Sequence, residues 1–202
     1  MQTSRACSAG SLWSAILLFS CPGFQPAHSQ TPADAAAAQK AMASRISAAT
    51  QLGPQQAALA QYLGRWTVDI ALPGQGAHST GTAEYSWVIE GRWLGCRIKG
   101  TVLGQPFEEF TILGYDTYAQ SVVEVSVQSA DNSMLMARGA SGGSQPTAEL
   151  FGELDEYITG SLHRPYKVVM RWLSADRHVT EIWDVGGDKP VEKLAFTFSR
   201  GG

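Results

Sequence analysis

The sequence predicts an all-β protein: an up-and-down antiparallel β-barrel of about ten strands, with a short N-terminal helix ahead of it. Three observations carry this reading. From Gly64 onward, apolar residues recur at every second position in short runs, which is the period of a half-buried strand. Each run ends in Gly, Pro, Asn or Asp, in loops short enough for hairpins, so each strand lies beside the next. A chain built almost wholly of short strands hides its edges best by closing on itself.

The runs follow in order. Gly64 to Leu72 alternates through Trp66, Val68 and Ile70. Thr82 to Ile89 places Tyr85, Trp87 and Ile89 together, and Glu90-Gly91 turns the chain. Arg92 to Val102 groups Leu94, Cys96, Ile98 and Val102, with Arg97 and Lys99 on the other side. Phe107 to Tyr115 has Phe110 and Ile112 on one face, Leu113 and Tyr115 on the other. Val123, Val125 and Val127 share a face, as do Met134 and Met136, and Ala148, Leu150 and Leu154 form the next run. Tyr166, Val168, Met170 and Trp172 stand opposite Lys167 and Arg171. Val179, Trp183 and Val185 fall with Glu181, and Leu194, Phe196 and Phe198 close the series just before Arg200.

Ahead of the strands, Pro54 to Leu63 reads as a short helix. Pro54 suits the first turn, Ala58, Leu59, Tyr62 and Leu63 share one face, and Gly64 stands where a helix stops. Such a helix would cover one barrel end. Residues 30–56 form an Ala-rich tether or helical arm. Ala35 to Ala49 has helical propensity with Asp34 as N-cap, but its apolar side chains are mostly Ala and leave little to bury. The barrel domain is assigned to residues 57–202.

Residues 1–29 read as a signal peptide. Arg5 precedes the apolar stretch Leu12 to Phe19, which is too short to span a bilayer, and Ala27-His28-Ser29 supplies small residues for cleavage before Gln30. The chain is therefore expected to be exported, periplasmic or secreted, with no transmembrane segment once mature. Leu18-Phe19-Ser20-Cys21 offers an alternative, lipid anchoring through Cys21, although Phe19 fits a lipobox poorly. Cleavage removes Cys7 and Cys21 and leaves Cys96 alone, so the mature fold rests on its core and not on an internal disulfide. It also removes Arg5 and no acid, leaving 14 basic against 18 acidic residues, a net charge of −4. That balance argues against a nucleic-acid partner and against adsorption to anionic lipid.

Gly64-Arg65-Trp66 resembles the first-strand signature of the lipocalins and the wider calycin superfamily. There the Trp closes the barrel floor and stacks with an Arg at the end of the last strand. The resemblance gives Gly64, Trp66 and Arg200 that structural role, with cation–π attraction as the physical reason. A closer likeness is to a lipocalin-like bacterial family of the domain-of-unknown-function 1579 type. Its marks stand here in order: Leu63 to Val68, Gly81 to Tyr85, Ile89 to Leu94, Gly104 to Phe107, Ile112 to Asp116, Phe151-Gly152-Glu153, and the late Glu181 and Glu192. This sequence departs from the family where a Trp-x-Asp is often found, reading Val125-Ser126-Val127-Gln128. It departs again at Gly139-Ala140-Ser141-Gly142, where a Gly-x-x-Asp commonly follows. The likeness implies a barrel that binds a ligand; the family carries no agreed activity.

No cofactor is expected. His78, His163 and His178 each fall in or beside a turn without metal-ligand spacing, and there is no Cys-x-x-Cys-His. The last strand, Leu194 to Arg200, lacks the His that nitrobindin, a related haem-binding barrel, uses near its C-terminus. Gly-x-Ser-x-Gly is absent, Ser141 and Ser144 have no base nearby in sequence, and Cys96 reads as a small core hydrophobe. No catalytic residue is assigned. Asp116, in Gly-Tyr-Asp, reads as a hairpin cap. Two readings of the Glu181 strand stay open: Glu181 inward with Trp183, as a buried acid able to serve hydrolase or isomerase chemistry, or Ile182 inward and Glu181 solvated. The leading expectation is non-enzymatic binding of a small apolar molecule in the cavity, lined by Tyr85, Trp87, Cys96, Met170, Trp172, Trp183 and Phe196. Those aromatics serve equally well as core filling. A third reading is an interaction module that forms a homodimer through the Ala-rich arm or an outer sheet face.

Overall fold

The computed structural model describes residues 31–141, 147–156 and 159–200, and the leader-like segment lies outside them. Ten strands form one closed antiparallel barrel, each beside its sequence neighbours, with the last returning to the first. They are β1 (Gly64–Leu72), β2 (Ala77–Ile89), β3 (Trp93–Val102), β4 (Gln105–Asp116) and β5 (Ser121–Gln128). The second half comprises β6 (Met134–Ser141), β7 (Thr147–Glu156), β8 (Ser161–Ser174), β9 (Arg177–Asp184) and β10 (Val191–Ser199). Closure joins β1 to β10 with Val68 opposite Phe198 and Ile70 opposite Phe196. Because directly opposed residues of an antiparallel pair share a face, these registers fix the inner wall around the barrel.

The inner wall is the core. Ile70, Leu94 and Leu150 are fully buried, and burial of each contributes about 1.5–3 kcal/mol. Glycines let large side chains lie flat against the wall. A Cβ on Gly114 would stand 2.1 Å from the ring of Trp93, and one on Gly152 would stand 2.7 Å from the ring of Tyr166. In Gly114-Tyr115-Asp116 the carboxylate caps its hairpin, accepting the N–H groups of Tyr118 and Ala119 at 2.9 Å each. Ile89 was grouped with Tyr85 and Trp87 by alternation. The register shifts between Trp87 and Ile89, and Ile89 is exposed.

Two helices precede the barrel. Contacts divide the chain into a unit ending at Ala43 and another beginning at Ser44, and helix α1 (Pro32–Thr50) straddles that boundary with none of its side chains buried. Its cap is Thr31 rather than Asp34. The Thr31 hydroxyl accepts the Asp34 N–H at 3.2 Å, and the Asp34 carboxylate accepts the Thr31 N–H at 3.1 Å, a reciprocal capping box. Helix α2 (Pro54–Leu59) runs into a 3₁₀ turn at Ala60–Tyr62, and Gly64, at φ +109°, starts β1 in a conformation that favours glycine. Buried Gln56 fastens α2 to the β4–β5 hairpin by donating to the Thr117 hydroxyl at 2.8 Å. Among the described residues no helix is long and apolar enough to cross a membrane.

Candidate functional site

The barrel floor is built from the ends of the first and last strands. Trp66 is buried, and its indole N–H donates to the Tyr62 carbonyl at 2.7 Å. The Arg200 guanidinium lies over the Trp66 ring, 4.4 Å from its centroid, and donates to the carbonyls of Gln61 and Leu63. Around Trp66 stand Tyr62, Tyr85, Trp172, His178 and Phe198. His178 stands beside the β8–β9 turn, as its sequence position implies, but it faces inward: it is 1% exposed and stacked on Phe198 with ring centroids 4.2 Å apart. Neither ring nitrogen has a partner among the described residues. Burial, with a smaller contribution from the Arg200 charge, pushes its pKa down to about 3, so the imidazole is neutral at neutral pH.

Above the floor, midway along the barrel, lies a chamber of about 20 Å³, room for about one water molecule. Its apolar lining includes Ile98, Leu113, Met170, Phe196 and Phe198, and its polar lining is Tyr85, Cys96, Glu109, Thr111, Glu124 and Thr180. The β4–β5 register explains the two acids. Phe107, Glu109, Thr111 and Leu113 are buried on β4, and Leu113 opposes Glu124 while Thr111 opposes Ser126. Strand β5 therefore turns Val122, Glu124 and Ser126 inward, and Val123, Val125 and Val127 outward. The outward set continues across β6, where Met136 opposes Val125 and Met134 opposes Val127. Val127, Met134 and Met136 are all exposed.

The chamber's electrostatics follow from burial. The Thr111 hydroxyl donates to Glu109 at 2.9 Å, yet burial outweighs that bond and pushes the Glu109 carboxyl up to about 7. Burial and then the Glu109 charge push Glu124 up to about 8. Glu124 Oε2 is buried without a hydrogen-bond partner among the described residues. The pair thus retains a proton near neutral pH. Burial also holds Tyr85 well above the usual phenol range and the Cys96 thiol up at about 12, so neither ionises under ordinary conditions. Such a thiol is an unreactive wall residue.

Cations near the barrel are engaged elsewhere. Arg97 and Lys99, on the outer wall, pair with Glu108. At the far end Arg164 grips Asp184 Oδ2 through Nε at 2.9 Å and Nη2 at 2.7 Å. A groove of about 580 Å³ on the outer wall runs past Arg65, Glu84, Arg97 and Lys99, but its charges compensate one another, Arg65 approaching Glu84 at 3.9 Å. No group of three or more His, Cys, Asp and Glu among the described residues is arranged to hold a metal ion.

Of the residues that alternation assigns to a cavity, Tyr85, Cys96, Met170 and Phe196 border the chamber. Trp172 belongs to the aromatic floor, and Trp87 packs half-buried against the core. Trp183 does not reach the interior. The β8–β9 register sets Trp183 opposite outward-facing Lys167 and sets Ile182, Thr180 and His178 opposite the inward Val168, Met170 and Trp172. Glu181 is on that outer wall too, paired with Arg171 and accepting the Trp183 indole N–H at 3.2 Å. Glu181 therefore does not point into the barrel, and the reading that sets it inward with Trp183 is corrected. The interior acids are Glu109 and Glu124, which hydrophobic patterning passed over. Their signal was present in β4, where Glu109 sits two residues from Phe107 and four from Leu113 on one face.

Residues 51–199 match the family described as a protein of unknown function, DUF1579. The chain belongs to the DUF1579 family. No curated protein matches it. Among solved structures it is similar to Rv2717c from M. tuberculosis, with 17% identity, a TM-score of 0.52, and coverage of 75% of this chain and 100% of that one. At that identity the likeness concerns the fold. Within the DUF1579 segment, the motif pieces at Gly114-Tyr115-Asp116 and Phe151-Gly152-Glu153 have structural explanations: room for Trp93, a capped hairpin and room for Tyr166.

Proposed function

We propose that this DUF1579 barrel binds a small molecule with a mainly apolar body and one polar group, held in the chamber above the Trp66 floor. The supporting observation is the Glu124 Oε2, unpartnered among the described residues, in a chamber whose lining is part apolar and part polar. Leaving a buried carboxyl unsatisfied costs ~1–3 kcal/mol for a neutral group and more when charged, so the position calls for a polar partner, which the polar group of a ligand would supply. Entry of a ligand larger than water requires the wall to yield, and the flexible thioether of Met170 is the side chain suited to do so.

The reading is tested with ¹³C-methyl methionine. A panel of fatty acids, retinoids and n-alkylamines is titrated while the Met170 methyl is followed by NMR, with exposed Met134 and Met136 as internal controls. Binding in the chamber moves Met170 and leaves the controls in place. A panel in which nothing moves Met170 contradicts the proposal.

We further propose that the barrel acts outside the cytoplasm. The leader-like residues 1–29 support this. N-terminal sequencing of the mature protein decides it: a start at Gln30 fits signal cleavage, a lipid-modified Cys21 fits anchoring, and an intact Met1 contradicts both.

A further inference from the structure

We infer that the polar group recognised in the chamber is a protonated amine, seated between the carboxylates of Glu109 and Glu124. This inference rests on the proposal that the chamber is the binding site, and names the class of ligand it takes.

The argument is one of missing charge. Two carboxyls face one small space, and Glu124 is about nine-tenths buried with Oε2 unpartnered among the described residues. Among the described residues no Lys or Arg lines the chamber. Arg97 and Lys99 point outward to Glu108, and Arg171 points outward to Glu181. Arg164 is bound to Asp184 at the far end, and Arg200 is committed to the Trp66 ring and two carbonyls. A carboxylate ligand such as a fatty acid would add a third negative charge to this space. An alcohol would leave both acids protonated or unpaired. An ammonium group brings a positive charge and three donors, for which the chamber offers the oxygens of Glu109 and Glu124 and the hydroxyl of Thr180. The rings of Tyr85 and Phe198 beside it are favourable neighbours for a cation. Once Met170 moves aside, Ile98, Leu113 and Met170 offer apolar contact to the carbon chain attached to it.

Binding an ammonium ion requires the acids to ionise, so it must release protons. The titratable groups around the site are Tyr62 ahead of β1, Tyr85 on β2, Cys96 on β3, Glu109 on β4, Glu124 on β5, Tyr166 on β8 and His178 on β9. The three tyrosines and the thiol are held protonated and the imidazole neutral, chiefly by burial. Only the two carboxyls change state across the neutral range.

The test is isothermal titration calorimetry of the full chain with n-hexylamine, n-hexanol and n-hexanoate at about pH 6 and about pH 8.5, in buffers of differing ionisation enthalpy. Each proton displaced makes affinity rise about tenfold per pH unit. Hexylamine is expected to bind tightest of the three, to gain at least about tenfold from the lower to the higher pH, and to release about one proton or more. Glu124→Gln, checked for folding by thermal melting, is expected to lose at least about tenfold in hexylamine affinity and most of the pH dependence. Glu181→Gln on the outer wall is expected to bind like the wild type. Hexanol or hexanoate binding as tightly as hexylamine overturns the amine assignment and leaves the chamber as a binding site. Failure of all three to bind overturns both.

Discussion

Arg200 and Trp66 meet at the seam where the barrel closes, the guanidinium 4.4 Å above the indole. The contact joins the end of the last strand to the start of the first, and the same guanidinium holds the carbonyls of Gln61 and Leu63 that lead into β1. One side chain therefore fixes the plug, the first strand and the last. Arg200→Ala should lower stability by about 2 kcal/mol, combining a cation–π contact with charge-assisted hydrogen bonds. Arg200→Lys should recover only part of this, since an ammonium cannot stack flat and fork at once. Urea unfolding of the two variants measures it, and a loss below about 0.5 kcal/mol for the alanine would show that the contact is ornamental.

His178→Phe should stabilise the protein. The imidazole already stacks on Phe198 and has two buried nitrogens without partners among the described residues, so a benzene ring keeps the stacking and removes the unpaired polar atoms. The sign of the pH effect is definite. The folded pKa of about 3 lies below the ordinary value of 6.5. The unfolded chain therefore takes up the proton first, and stability falls as pH drops through that window. The slope is about 1.4 kcal/mol per pH unit. Thermal melts of the variant should lose that part of the acid dependence; an unchanged profile would mean that His178 is protonated in the fold.

Glu109 and Glu124 act in the opposite direction. Their folded pKa values, about 7 and about 8, lie above the ordinary 4.5, so the folded protein holds their protons more tightly than the unfolded chain does. Stability from this source is full below 4.5 and is lost as pH rises to about 7 for one group and about 8 for the other. Together with His178, the two acids place the stability maximum near pH 5, on the acid side of neutrality. Urea midpoints measured from about pH 4 to 9 would show it, and a maximum at or above about pH 7 would be inconsistent with two buried acids.

Gln56→Ala should loosen the cover of the barrel. The carboxamide accepts the Gly53 N–H at 2.9 Å and donates to the Thr117 hydroxyl at 2.8 Å from a buried position. Its loss should cost about 1–3 kcal/mol and raise amide hydrogen exchange through α2 while the strands stay protected. Uniform exchange across the barrel would contradict a local role.

The architecture was legible because hairpin turns and a period of two survive in the sequence without knowledge of the contacts. The Trp66–Arg200 contact was legible because both residues stand at fixed ends of the strand series. The interior chemistry was harder, for a physical reason. Alternation yields two sets of side chains per strand, and hydrophobicity selects the wrong set wherever the inner one carries a task. In β5 Val123, Val125 and Val127 face out, while Glu124 and Ser126 face in beside Val122. In β9 Trp183 and Val179 face out, while His178, Thr180 and Ile182 face in. Both choices were set by the neighbouring strands, Leu113 on β4 and Val168 on β8, and not by the strand's own composition.

The most direct test is a pH titration of the side-chain carboxyl carbons of ¹³C-labelled glutamate by NMR, with Glu109→Gln and Glu124→Gln used to assign the two signals. Two glutamates should titrate far above the rest, near 7 and near 8, and both should fall on addition of n-hexylamine. If every glutamate in the folded protein titrates below about 5, in the ordinary carboxylate range, the barrel holds no buried acid pair and the binding site assigned to it does not exist.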